Sequence, residues 1–176
     1  MKKDATILIV DDEEDILLTL RLFLKQHFEH VITEHNPNLL PRLLRQNEPD
    51  VILLDMNFRK GDTSGKEGMQ WLKKTLELDP QANVIMITAY GDVKVAVECL
   101  KAGAVDFVEK PWRNEKLLAT IHAACRLSES KHEVKQLQSR QRMLSADIDQ
   151  PYGEIIGESA AMKQIFHTIE KVAKTD

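Results

Sequence analysis

The sequence predicts an α/β fold, a doubly wound domain in which a parallel sheet is covered by helices on both faces. Three observations predict it. Short runs rich in Ile and Val alternate with helical patterns up to about residue 128. Those runs are apolar almost throughout, as strands buried on both faces must be. Turn-forming residues fall between the runs rather than inside them.

The predicted strands are "TILIV" (6–10), "VITEH" (31–35), "VILLD" (51–55), "VIMIT" (84–88) and "VDFVE" (105–109). Apolar residues spaced near 3.6 predict helices over 14–28, 38–47, 66–78, 92–103 and 114–127. Glu48-Pro49 precedes the third strand, Asp79-Pro80 closes the third helix, and Gly103 stands where the fourth helix needs a cap. Pro41 lies inside the second helical pattern, so that helix is expected to begin near it or to be irregular. Beyond residue 128 the chain turns polar, yet Leu127, Val134, Leu137, Leu144 and Ile148 share the a and d positions of one heptad frame, with Ser130 and Gln141 as its polar members. This predicts that the fifth helix continues as a short coiled coil; a solvated helical linker is the plainer alternative.

Composition narrows the function. A net charge of −4 and a pI near 5.9 give no basic footprint for nucleic acid or for an anionic membrane. Cys99 and Cys125 lie in apolar helical patterns, far from any metal-binding spacing, and read as core residues of a reducing compartment. The apolar run at the N-terminus breaks at Asp11, unlike a signal peptide, and nothing approaches the ~18 apolar residues of a membrane span. A cytoplasmic protein is expected. The six histidines show no ligand spacing and are expected on the surface or in helix packing.

In an open parallel sheet the ligand site lies beyond the carboxyl ends of the strands. Those ends carry Asp11 and Asp12, Asp55, Thr88 and, just past the fifth strand, Lys110. Three carboxylates in one crevice raise each other's pKa unless a cation neutralises them. Mg²⁺ suits them, since it takes oxygen ligands and shares its shell with phosphate. Lys110 and Thr88 suit phosphoryl oxygens, and one carboxylate remains to act as nucleophile. Each residue also has a plain reading. An Asp-Asp pair often caps the next helix, a threonine often satisfies backbone in a strand, and Lys-Pro is a common loop. Their placement at the same end of successive strands favours the site.

The stretches "ILIVDDEEDI", "VILLDMN", "VIMITAYGD" and "AVDFVEKPW" resemble the signatures of response-regulator receiver domains over roughly residues 5–128. The resemblance implies a flavodoxin-like sheet of order 2-1-3-4-5. It implies Asp55 as phosphoacceptor, Asp12 as a direct Mg²⁺ ligand, Asp11 as a water-mediated one, and the backbone carbonyl of Asn57 in the metal shell. It further implies Thr88 and Phe107 as a switch pair, Lys110 against the acyl phosphate, and a sensor histidine kinase as donor. Change would be read on the face of helix four, strand five and helix five.

One departure stands out. Receiver domains of this kind carry Pro four residues after the phosphoacceptor, where this chain has Arg59, and the loop "MNFRKGDTSGKEG" is about five residues longer than usual, an expected exposed segment. Tyr90 and Asn57 stand where they could screen or admit hydrolytic water.

The tail "EIIGESAAMKQIFHTIEKVA" (154–173) is similar to the opening of the AAA+ domain of sigma-54-dependent activators of the nitrogen-regulator type. No GxxxxGK[ST] loop follows it and no helix-turn-helix is evident, so neither ATP binding by that route nor direct DNA reading is expected of this stretch. The expected organisation is a receiver over 1–128, a helical or coiled-coil linker over 129–150 and a truncated AAA+ start over 151–176. Expected partners are a sensor histidine kinase, a second copy through helix five and the linker, and the AAA+ domain of a longer protein. Two rivals remain. A haloacid dehalogenase-type phosphohydrolase wants a second acid two residues past the nucleophile, where this chain has Asn57. A phosphorylation-independent scaffold would need none of the site residues.

Overall fold

The computed structural model describes residues 2–58, 65–89, 93–148, 163–165 and 167. Five strands form one all-parallel sheet of order β2-β1-β3-β4-β5: β1 (Lys3–Val10), β2 (Phe28–Glu34), β3 (Val51–Asp55), β4 (Val84–Thr88) and β5 (Asp106–Glu109). Helices α1 (Glu14–Leu24), α2 (Leu40–Asn47), α3 (Lys66–Leu78), α4 (Val93–Lys101) and α5 (Asn114–Ile148) connect and follow them. This is the doubly wound arrangement that the alternating runs predict, in the flavodoxin-like strand order that the resemblance implies. The order makes β1 and β3 neighbours although β2 lies between them in sequence, so Asp11 and Asp55 emerge side by side.

The near-continuous apolar runs divide by alternation onto two faces. Ile7, Ile9, Val51, Leu53, Ile85 and Ile87 join Leu17, Leu20 and Leu24 of α1 and Leu117 and Ile121 of α5. Leu8, Val10, Ile52, Leu54, Val84 and Met86 meet Leu40 and Leu44 of α2, Leu72 of α3 and Cys99 of α4. Burying each such side chain is worth about 1.5–3 kcal/mol.

Several boundaries shift from expectation, most of all at the end of the first helix, while the second helix begins near Pro41 as expected. The first helix stops at Leu24, and Phe28, expected inside it, starts β2 and is fully buried in the core. Helical spacing continued through Phe28, but burying the ring against the sheet won over local periodicity. Pro41 stands in the first turn of α2, after a 3-10 turn at Pro37–Leu39, where its missing amide costs nothing. Gly103 follows α4 with φ 106°.

The chain divides into two compact units, Met1–Val134 and Lys135–Asp176. In the first, α5 buries Leu117, Ile121, Ala124, Cys125 and Ser128. Leu127, Val134 and Leu137 of α5 face outward, at 39%, 52% and 59% exposure. The side chains of Leu144 and Ile148 lie outside the described residues, as do residues 59–64 of the expected long loop over 56–68, Tyr90 and most of the tail from 149. Among the described residues no helix is long and apolar enough to cross a membrane. Both cysteines are free and buried.

Candidate functional site

The strand ends build the site. Parallel pairing sets Val10 beside Leu54 and Asp55 beside Ile87, so the residues leaving β1 and β3 share one edge of the sheet. Asp11 is fully buried and Asp55 is 4% exposed, while Asp12 is more open to solvent. Carboxylate oxygens of the three lie within 4.8 Å of one another.

Lys110 spans two of them. Its Nζ donates to Asp11 Oδ2 at 2.8 Å, lies 2.8 Å from Asp55 Oδ1, and reaches Glu13 Oε1 at 3.4 Å. The lysine is brought there by β5, whose edge bond from Lys110 N to Thr88 O leads the chain back toward β4; the Lys110–Pro111 peptide is cis. Backbone amides take the remaining oxygens: Glu13 N donates to Asp11 Oδ1 at 2.9 Å and Asn57 N to Asp55 Oδ2 at 2.8 Å. The helix-capping alternative is met only in part. The N-cap of α1 is Glu13, without a side-chain cap bond, and Asp11 accepts from that residue's amide.

Electrostatics follow from burial. Loss of water, then the charge of Asp55, lifts the Asp11 carboxyl from 3.8 to about 6 in spite of Lys110. Burial likewise raises Asp55, opposed by Lys110 and by the Asn57 amide. Burial alone would lower the Lys110 ammonium, but its bonds to Asp11 and Asp55 hold it above its usual value. One ammonium therefore does not satisfy three carboxylates, and the residual negative charge and oxygen-only donors fit a hard divalent cation.

Thr88, buried at the end of β4, and Lys110 thus stand at the same edge as the three acids. Phe107 lies further back, opposite Met86, half-buried against the α3 and α4 side of the core. Three contributors were not foreseen. Glu13 joins Lys110. Asn57 uses its side chain as well as its backbone, accepting from Gly65 N at 2.8 Å. Gly68 donates to Met56 O at 3.0 Å, and a Cβ there would sit 2.5 Å from Met56 Cα and 2.8 Å from Asp55 O. Only glycine allows another backbone so close.

The chain is similar to proteins of known fold and family. The chain is 32% identical over 168 residues to the regulatory protein AtoC of Escherichia coli, covering 95% of this chain and 34% of the relative. Its fold matches the crystal structure of NtrX from Brucella abortus, with TM-score 0.69 and 30% identity over 97% of this chain and 36% of that one. It also matches the N-terminal signal receiver domain of a two-component system response regulator from Bacteroides fragilis, with 43% identity, TM-score 0.63, and 70% and 98% of the two chains covered. The chain spans about a third of the length of the curated relatives it matches. Residues 7–122 match the family model "Response regulator receiver domain", and the chain belongs to that family.

Proposed function

We propose that this chain is the phosphoacceptor module of a two-component response regulator, taking a phosphoryl group on Asp55 from a histidine kinase. The observation that carries the reading is Lys110 bridging Asp11 and Asp55 at 2.8 Å inside a buried acidic cluster. Asp11, Asp12, Asp55 and the Asn57 carbonyl would hold Mg²⁺, which when bound supplies positive charge to the phosphoryl oxygens.

The chain's own residues do the rest. Burial makes the Asp55 carboxylate more basic, hence a better nucleophile. Asp55 forms the new O–P bond as the N–P bond to the donor's histidine breaks, and the electron pair leaves with that nitrogen. Lys110 offsets charge on the transferred group, and Thr88 offers it a hydroxyl, so catalysis is mostly positioning. The aspartyl phosphate adds nearly two negative charges, which draw Thr88 inward and let Phe107 follow.

The output reading rests on the tail and on α5. Receiver (1–128), linker (129–150) and AAA+ start (151–176) would belong to a longer sigma-54-dependent activator working in the cytoplasm. The exposed Leu127, Val134 and Leu137 support pairing of two copies through α5 and the linker. Light-scattering mass before and after acetyl phosphate with Mg²⁺, on wild type and Val134→Asp, tests it. A phosphorylation-dependent change in mass, lost in the variant, is expected; an unchanged monomer in every sample refutes the dimer.

A further inference from the structure

We propose that the Asn57 side chain is a positioning residue for the metal and phosphoryl site, because its hold on Gly65 fixes the backbone next to Asp55. The proposal rests on the receiver reading above.

Asn57 makes two bonds that point in different directions. Its backbone amide donates to Asp55 Oδ2, and its Oδ1 accepts from the amide of Gly65, each at 2.8 Å. The second bond joins positions eight residues apart, at the two ends of the long connection between β3 and α3. Without a tie, a connection of this length leaves its ends with many backbone states, whose ordering costs conformational entropy.

A second clamp acts from below. Gly65, at φ 66°, opens α3, and one turn later Gly68 presses on Met56, donating to its carbonyl. The Met56–Asn57 backbone is thereby tied twice to the start of α3, through Gly68 and through the Asn57–Gly65 bond. The oxygen that the receiver reading gives to the metal belongs to this same residue. Its direction is set by the peptide plane that the side-chain bond restrains, so the side chain acts on the metal through its own backbone. Ala at this place would lack the acceptor; Asp would keep it.

The test is calorimetric Mg²⁺ titration of wild type, Asn57→Ala and Asn57→Asp, with urea unfolding and amide exchange at Gly65 followed by NMR. Asn57→Ala should weaken Mg²⁺ binding about tenfold or more, the usual penalty for losing a residue that orients a ligand. The Gly65 amide should exchange slowly in wild type and Asn57→Asp, and quickly in Asn57→Ala. Lower stability with unchanged Mg²⁺ affinity would overturn the proposal, leaving Asn57 a structural residue. If Asn57→Ala does not fold, fast exchange of the Gly65 amide in wild type overturns it equally. Absence of Mg²⁺ binding by wild type would instead refute the receiver reading on which it stands.

Discussion

Breaking the polar network under the sheet should uncouple α5 from β3 by a measurable amount. At the end of the sheet opposite the acidic cluster, Asp50 accepts from Thr6 N and from Ser128 Oγ, each at 2.9 Å. Asn83 Nδ2 donates to Asp50 O at 3.0 Å, and Lys131 Nζ donates to Asn83 Oδ1 at 2.7 Å. Ser128 and Asn83 are 4% and 3% exposed, so their polar atoms cannot turn to water without moving the helix. A hydrogen bond to a charged group is worth about 1.5–3 kcal/mol, and partial exposure of Asp50 puts each of its two bonds at the low end. Asp50→Ala should therefore cost about 3 kcal/mol, and Ser128→Ala about 1.5 kcal/mol. Because the two variants share one bond, the double variant should cost less than the sum by about 1.5 kcal/mol. Urea unfolding followed by circular dichroism measures all four corners, and an unchanged slope would show that stability alone has moved. Strict additivity would refute the reasoning, since the Ser128–Asp50 bond would then carry no energy.

Further expectations concern the site and the core. Gly68→Ala should destabilise by about 1–3 kcal/mol, because the neighbours of the new methyl are backbone atoms that cannot turn aside; a thermal melt of the variant checks this. Without metal, Asp11 holds its proton up to about pH 6 against 3.8 in the unfolded chain, so its share of stability falls as pH rises through that window. Mg²⁺ binds the ionised form, so its affinity should drop roughly tenfold per pH unit below about 6, measured by calorimetry across pH. Lys110→Met should move that window upward, since the cation that now opposes burial at both Asp11 and Asp55 is gone; an unmoved window would contradict the assignment. Burial pushes the Cys125 thiol up to about 11 and raises that of Cys99, so neither should react with iodoacetamide at pH 8 until the protein unfolds. Mass spectrometry along a urea series reads this directly.

What the sequence made legible follows from how local each signal is. Asp11, Asp12, Asp55, Thr88 and Lys110 were readable because parallel strands must deliver their last residues to one edge, whatever the details of packing. The strand runs themselves were readable because burial on both faces leaves few polar positions. Phe28 was not, because Gln26 to Phe28 can continue the helical spacing and only the sheet's need for a large buried ring decides otherwise. The Asp50–Ser128 bond joins residues 78 apart and the Lys131–Asn83 bond residues 48 apart, and neither leaves a periodic trace. The Asn57–Gly65 tie was hidden for another reason: the resemblance assigned Asn57 a backbone role, and an asparagine beside a glycine-rich stretch reads as turn chemistry.

The central claim is that Asp55 is the phosphoryl acceptor, and intact mass after incubation with acetyl phosphate and Mg²⁺ tests it most directly. Wild type should gain one phosphoryl group and Asp55→Asn none, with the wild-type gain lost when Mg²⁺ is chelated. A gain of equal size in Asp55→Asn would contradict the assignment of the nucleophile, and no gain in wild type would contradict the account as a whole.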